Sequence, residues 1–500
     1  MKPIAFLLAL SLLIALVGGC TAADNGKPIT TRSTGTTTTA KEDNPALWSP
    51  VYVDVDCEVY TVTDAAIVFI DGKHYNSGKT FGEFGHHKLK YTKYNNDYTR
   101  DLYFYRAGDV NGDQLVDAAD VTALKTQLNG TPDALTTYAG DLNKDGKLDA
   151  TDLSLLTQAT SLKSGLLLLS PTDGVPVMKP SAAVAEVVKD YTPASTTSML
   201  IKDGTQMFHR APLALTWASG EAVDTYTVTL SLKEDLSDPL VYTSDRTGLV
   251  VYNLIPDTAY YWQVAAGDVK SAVGRFVTAD TVRTLTIDGV DNARDVGGYA
   301  VGDSRIRYGM VYRTASLDGI TAAGQREMIN VLKVRTDLDL RSPGEGTASD
   351  GNGSPIGSDV QYINCDAPYY YGVAHGLAAS DYMDALRAEI RTFVEPSNFP
   401  IVVHCAVGRD RTGTLMMLIL GLCGVSETDV YLDYELSVLS EIGGKNASVP
   451  SLRSNLTRTI QYVKEFAPEG DFQAACEAYL LSLGITADEI TAIKENMIEK

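Results

Sequence analysis

The sequence predicts a multidomain protein: a small N-terminal β module, a small α domain built around two acidic loops, an all-β sandwich and a C-terminal α/β domain. Three observations carry that architecture. A twelve-residue acidic pattern that starts at Asp109 returns at Asp141, so one short unit is duplicated. Between Leu166 and Thr278, alternating runs such as LALTWAS, TYTVTLSL and AYYWQVAA are separated by turn residues, as in packed antiparallel strands. After Asp280, strand-type and helix-type periods alternate, which implies a layered α/β arrangement. At 500 residues, 44% hydrophobic and 21% charged, the chain has material for about three or four cores.

At the N-terminus, Lys2 precedes an apolar run from Ile4 to Val17 and then Gly18, Gly19 and Cys20. This is a short secretory segment, too short to span a bilayer comfortably. The string LVGGC resembles the lipobox of bacterial lipoproteins, which implies a signal peptide over 1–20 and a lipid anchor on Cys20; simple signal cleavage is the alternative. A secreted, cell-surface lipoprotein is the resulting expectation. The Thr-rich stretch Ile29–Lys41 cannot build a core, so 21–46 reads as a tether. A net charge of -21 excludes a nucleic-acid binder, because polyanions are held by basic surface. Any phosphate site must be local. The six cysteines, at 20, 57, 365, 405, 423 and 476, show neither a paired pattern nor CxxC, so no disulfide framework or zinc site is indicated. A reduced exterior fits an exported enzyme that relies on a thiolate.

Residues 47–106 contain β-type runs, AAIVFIDGKHY and DLYFYR, with an IDG turn in the first. His74, His86 and His87 lie in this module and read as surface residues, so no site is assigned to it. The next segment, 107–163, is more informative. Oxygen side chains occupy loop positions one, three, five, nine and twelve: Asp109, Asn111, Asp113, Asp117 and Asp120, then Asp141, Asn143, Asp145, Asp149 and Asp152. A hard cation with six or seven oxygen ligands needs such a cage, completed by the backbone carbonyl of Leu115 or Lys147. Each loop runs into an apolar-periodic stretch that reads as one helix starting near the last ligand. The duplicated pattern, ending in Asp, resembles a dockerin type I domain, which implies structural Ca2+ and a cohesin module of a scaffold protein as partner. Gln114 departs from the pattern, since the sixth position takes a sharp turn that favours Gly. The first site is therefore expected to bind calcium more weakly than the second.

Within 164–280, the string LIPDTAYYWQV resembles the corner before a late strand of fibronectin type III domains. That likeness implies that Tyr260 tucks against the turn and Trp262 fills the core. Trp217, in another strand-like run, reads as core as well.

Residues 281–500 hold the chemistry, in the segment IVVHCAVGRDRTGTLMMLIL from Ile401 to Leu420. A short apolar strand ends at His404 and Cys405, five residues lead to Arg411, and a long apolar helix follows from Thr412. A loop between a strand and a helix N-terminus aims free backbone N–H groups inward, where the helix dipole adds positive potential. Such a nest suits a phosphate dianion. The same groups, with Arg411, would lower the pKa of Cys405 and make it a nucleophile. Arg411 can present two parallel donors to phosphate oxygens, and Thr412 can hydrogen-bond the sulfur as a leaving group.

These residues resemble the signature of the cysteine-dependent protein tyrosine phosphatase superfamily, and more narrowly the bacterial secreted tyrosine and lipid phosphatases with an HCxxGKDRTG loop. NARDVGGY (292–299), IRYGMVYRTASLDGIT and VRTDLDLRSPGE (334–345) follow that family in order. The resemblance implies an α/β phosphatase domain without a catalytic metal, acting on phosphotyrosine or related phosphoproteins. Phosphoinositides or inositol polyphosphates are the alternative substrates. A docking protein with an inactive phosphatase domain is disfavoured, because Cys405, Asp410 and Arg411 are all present. The family's general acid corresponds to Asp410; Asp366, thirty-nine residues before Cys405, is the competitor, at a separation like that of the mobile-loop acid of ordinary tyrosine phosphatases. Ala406, Val407, Gly408, Arg409, Asp295 and Asp366 are the candidate substrate-facing residues, although Arg294 and Asp295 also read as supports of the loop. Asp339 and Arg341 flank Leu340, share one face, and read as braces. Arg409 stands where the family has Lys, so a second phosphate would meet a planar fork in place of an ammonium. Tyr369, Tyr370 and Tyr371 form an aromatic run that reads as a half-buried loop.

Overall fold

The computed structural model describes residues 51–55, 60–61, 67–76, 79–93, 96–172, 213–280, 282–346, 353–366, 382–444 and 449–499, with single positions at 188 and 377. The apolar N-terminal run expected to be a signal segment, the Thr-rich stretch expected to be a tether, and the run Tyr369–Tyr371 lie outside them.

In the N-terminal β module the sheet runs in the order Val51–Asp54, Asn96–Tyr105, Gly85–Lys93, Ile67–Ile70, Lys73–Tyr75. Asp71 and Gly72, at φ 49° and 80°, form the tight hairpin turn expected at IDG. Val53, Val68, Ile70, Leu102 and Phe104 fill a small core. The two neighbouring histidines are engaged by carboxylates, His86 by Asp101 at 2.7 Å and His87 by Asp71 at 2.6 Å.

In the two-loop domain each acidic loop flows into a helix, Ala118–Gln127 or Ala150–Ser161, because its ninth residue is an N-cap. Asp117 and Asp149 accept the first free amides, while Asp120 and Asp152 reach back to the cap amides in reciprocal capping boxes. A third helix, Ala134–Gly140, capped by Asp133, stands between the first helix and the second loop. The single-helix reading missed it because TPDALTTYAG has too little apolar periodicity to announce seven residues of helix. Leu124, Leu142 and Leu156 close the core of this domain.

The next region has two antiparallel sheets. One carries Leu240–Ser244, Tyr226–Ser231 and Ala259–Ala266, which pairs further with Val269–Lys270 and Gly274–Val277; the other carries Gly248–Val251, Leu213–Ser219 and Leu166–Ser170. One buried cluster, including Trp217, Val228, Tyr260, Trp262 and Phe276, draws residues from both sheets. The Tyr260 hydroxyl accepts the amide of Ile255 at 2.9 Å, and Trp262 Nε1 donates to the carbonyl of Pro171 at 2.8 Å.

The C-terminal sheet runs Arg294–Asp295, Val311–Thr314, Ile401–His404, Thr336–Asp339, Gln361–Asn364, with only the first pair antiparallel. IVVH is central and buried throughout, as a parallel strand covered on both faces must be. The helix Asp410–Cys423 is buried from Arg411 onward and is packed by the helices Glu427–Glu435, Phe472–Ser482 and Ala487–Met497. Burying one Leu, Ile or Met contributes about 1.5–3 kcal/mol, so this helix is an anchor for the loop that precedes it. No described helix is long and apolar enough to cross a membrane.

A polar seam joins the two-sheet region to the C-terminal sheet. Asn253, buried and at φ 61°, exchanges hydrogen bonds with both backbone groups of Thr286 (2.8 and 2.9 Å) and donates to Glu327. Its carbonyl accepts Arg283 Nη2 at 2.5 Å.

Candidate active site

Four consecutive carbonyls of the loop after Cys405 are fixed from outside. Ala406 O accepts the amide of Ser316 (3.2 Å), Val407 O accepts Asn292 Nδ2 (2.9 Å), and the carbonyls of Gly408 and Arg409 accept Arg313 Nη2 (2.8 and 3.3 Å). Because a trans peptide holds its C=O and N–H antiparallel, outward carbonyls turn the amides of 407 to 410 inward. The Gly408 amide already donates to Cys405 Sγ at 3.2 Å. Gly408 is required there: at φ 69°, a Cβ would lie 2.1 Å from the carbonyl oxygen of Thr314.

Cys405 is buried, which by itself raises a thiol pKa, but the charge of Arg411, the Thr412 hydroxyl and the amides of Thr412 and Val407 outweigh burial and lower it. The Thr412 hydroxyl is buried and has no oxygen or nitrogen partner. The other described cysteines lack such company: burial pushes Cys365 and Cys423 up to about 12, and Cys476 higher still. All four are free thiols. Arg411 is oriented by Glu345, which takes Nη2 at 2.6 Å and Nη1 at 3.2 Å, and by the Leu340 carbonyl. His404 lies behind the nucleophile, with Nε2 3.0 Å from Asp337 Oδ1 and Nδ1 3.4 Å from the Cys405 carbonyl. Burial would lower its pKa, but the Asp337 carboxylate raises it overall.

A second layer of buried charge holds these parts. Asp433 sits between Arg294 (Nε–Oδ1 3.2 Å) and Arg313, all three buried, and Arg294 also donates to Asn292 Oδ1 at 2.7 Å. Arg313 and Asn292 are the residues that pin the loop carbonyls, so this triad is the frame of the nest. Asp339 and Arg341 brace as expected: Arg341 pairs with Asp339 and reaches Asp318 and Ser316, whose amide holds Ala406.

Asp410 opens the helix at the loop. Its Oδ1 accepts the Tyr434 hydroxyl at 2.9 Å, and both of its oxygens accept Arg409, Nη2–Oδ2 at 3.0 Å being the closest. Arg409 Nη1 donates to the Gly443 carbonyl at 2.7 Å, so the guanidinium assigned to substrate is engaged by the protein itself. Asp295 is corrected as a substrate-facing residue. It is fully buried, paired with Arg283 at 2.7 Å and accepting the amides of Gly297 and Gly309, so no solvent-borne substrate reaches it. Its role as a support remains. Asp366 is exposed and accepts the Ser342 hydroxyl; the described residues give it no contact with the loop. Ala406 and Val407 are half-buried.

Sequence reasoning missed Glu345, Arg313, Asp433, Asp337 and Tyr434 as parts of the site. The available signal was charge inside apolar runs, VYRTA and VYLDYEL, where a lone Arg or Asp must find a buried partner.

In the acidic loops the carboxylates turn on backbone amides: Asp109 accepts Gly112 and Gln114, Asp113 accepts Leu115, and Asp120 accepts Val110, Asn111 and Asp117. The second loop repeats these contacts through Asp141, Asp145 and Asp152, except that Asp141 accepts only Gly146, through Oδ2. Among the described residues no group of three or more His, Cys, Asp or Glu side chains converges on one ion position. Two features nevertheless fit a hard cation. Asp141 Oδ1 is buried without a partner, and burial, then neighbouring carboxylates, raise the pKa of Asp109 and Asp141 despite their amide contacts.

Residues 285–499 match the tyrosine phosphatase family, and residues 107–159 match the dockerin type I domain. A Cupriavidus necator protein assigned by name to the tyrosine-protein phosphatases is 27% identical over 176 residues, covering 30% of this chain and 61% of that one. The triple specificity protein phosphatase PtpB of Mycobacterium tuberculosis is 30% identical over 102 residues, covering 20% of this chain and 34% of its own length. The chain thus spans less than two thirds of either relative. The catalytic core of the PP-IP phosphatase SIW14 from S. cerevisiae aligns over 35% of this chain and 93% of its own, at 18% identity and a TM-score of 0.22. The protein is therefore multidomain, with a phosphatase-like α/β domain, a dockerin domain and β-rich regions.

Proposed function

We propose that residues 281–500 hydrolyse phosphomonoesters through a phosphocysteine on Cys405, with phosphotyrosine-type proteins as the substrate class. The observation that carries this is the pinned loop: four outward carbonyls, inward amides and Arg411 around a buried thiol whose pKa is lowered. Arg411 and the amides of 407 to 410 grip the phosphate oxygens, and Cys405 Sγ attacks phosphorus as the bond to the leaving oxygen breaks. Asp410 gives its proton to that oxygen, and the alcohol departs. Water then attacks the phosphocysteine, Asp410 takes its proton, and the S–P electrons return to a thiolate steadied by Thr412. The balance is one phosphomonoester and one water to one alcohol and one phosphate. Cys405→Ser in the full chain tests the nucleophile, with a phosphate-release panel of phosphotyrosine peptide, phosphoinositide and inositol hexakisphosphate. We expect release from the peptide and none from the variant; release from the inositol compounds alone would move the substrate class, and near-wild-type turnover in the variant would remove Cys405 from the mechanism.

The remaining modules supply delivery. In 107–163 the side chains of Asp109, Asn111, Asp113, Asp117 and Asp120, and of Asp141, Asn143, Asp145, Asp149 and Asp152, with the carbonyls of Leu115 and Lys147, would hold two calcium ions that order the face offered to a cohesin. The fibronectin type III-like region at 164–280, the tether at 21–46 and a lipid anchor at Cys20 would present the enzyme at the cell surface. The linked-domain match to 107–159 supports docking.

A further inference from the structure

We infer that Tyr434 is a positioning residue that aims the Asp410 carboxyl, a role that rests on Asp410 being the general acid and base of the proposed reaction. Asp410 is the first residue of its helix, so its backbone sets the carboxyl at the loop but leaves the side-chain rotamer open. Two contacts close that freedom. Tyr434, from the helix Glu427–Glu435, donates its hydroxyl to Oδ1 at 2.9 Å, and Arg409 reaches both oxygens from the preceding residue. The two clamps differ in kind. Arg409 is a flexible chain beside its target, whereas the Tyr434 ring is locked: it is buried, and it lies so close to Gly413 that a Cβ there would come within 2.3 Å of the ring. Burial also raises the phenol pKa well above the ordinary value, so the hydroxyl stays a donor throughout the working range.

A fixed donor on Oδ1 has a directional consequence. A carboxyl that both gives and takes a proton needs one oxygen held and the other presented to the reacting oxygen. With Oδ1 engaged by Tyr434, the proton is carried on Oδ2, and Arg409 must release that oxygen when Asp410 is protonated, since two donors cannot face each other. Tyr434 is then the contact that persists through both half-reactions. Its loss lets the carboxyl rotate and weakens proton transfer to a poor leaving group without touching phosphate binding.

Tyr434→Phe keeps the ring against Gly413 and removes only the hydroxyl. In the full chain we expect kcat/KM for an alkyl phosphate to fall about tenfold and that for a nitrophenyl phosphate less than about twofold, with KM for both unchanged. Adding Tyr434→Phe to Asp410→Asn should cause no further loss, because the hydroxyl acts through the carboxyl. Equal losses on both substrates, or losses that add in the double variant, overturn the assignment. If Asp410→Asn alone shows no leaving-group dependence, the acid reading itself falls and Tyr434 with it; if Asp410→Asn shows it and Tyr434→Phe does not, only Tyr434 is displaced.

Discussion

The loop at 405–411 and the acidic loops at 109–120 and 141–152 face opposite electrostatic problems, and the protein prepares them differently. Around Cys405 the counter-charges are part of the chain: Arg411 set by Glu345, and Arg313 and Arg294 by Asp433, nearly all buried. The acidic loops gather carboxylates that backbone amides satisfy only in part, and Asp141 Oδ1 is left buried without a partner. An anion site framed by protein cations is organised before its ligand arrives, as catalysis requires. If the acidic loops hold the proposed calcium, a site built from like charges is completed by its ion and its order is conditional on binding. On that proposal the first is a constant of the fold and the second is a switch.

The sharpest way to break the contrast is to remove the frame of the anion site. Asp433→Asn leaves Arg294 and Arg313 buried and facing each other, so chemical denaturation should show a loss of about 3–5 kcal/mol, with turnover falling as the Gly408 and Arg409 carbonyls lose their pin. A loss under about 1 kcal/mol would mean that the loop holds itself. Calcium withdrawal should do the converse: a chelator lowers the helical circular dichroism contributed by 109–162 while the rate of phosphate release is unchanged. A rate that falls with the helix signal would tie the two regions together.

A smaller effect separates the thiols. The lowered pKa of Cys405 gives it a larger thiolate fraction at neutral pH than an ordinary thiol has, and that fraction is lost as pH falls through the depressed value. Iodoacetamide at neutral pH should therefore modify Cys405 first, its rate declining on the acid side in step with turnover. Cys365 and Cys423, pushed up to about 12, should react only on unfolding. Mass mapping of the alkylated peptides decides this. The smallest effect is at Gln114, held at φ 72°, where Gln114→Gly should relieve about 1 kcal/mol and tighten calcium at the first loop several-fold by titration calorimetry.

That last position shows what the sequence could and could not disclose. Gln114 marks the first loop as the strained one, because the sixth loop position demands a left-handed backbone. The structure places Lys144, fourth in the second loop, at φ 57°, whereas the first loop has Gly112 there and the second has Gly146 at the sixth position. Each loop thus carries one glycine and one strained side chain, and the expected asymmetry is offset. Lys144 was illegible because its compensation is distant: its ammonium lies 5.1 Å from the centre of the Tyr105 ring and 3.4 Å from the Tyr138 carbonyl. The same holds at the candidate active site. Strand, Cys405, Arg411 and helix are contiguous and could be read as a motif. Asp433 meets Arg313 across 120 residues of chain, Glu345 meets Arg411 across 66, and neither pairing has a local signature. Asp295 looked ambiguous because burial, which decides between support and substrate contact, has no local mark in RDVGG.

The seam at Asn253 has a consequence for inheritance. A domain that is to be shuffled between proteins should end where few interactions cross, yet Asn253 gives the 286 peptide both of its hydrogen bonds and caps the buried guanidinium of Arg283. That guanidinium neutralises Asp295, next to the residue that fixes Asn292 on the nucleophile loop. Severed near residue 281, the catalytic sheet would keep all of its signature residues and the Arg283–Asp295 pair, but the buried guanidinium would lose its acceptor at the Asn253 carbonyl. A catalytic unit that begins before Asn253 is accordingly expected to be more stable than one cut to the family match at 285–499.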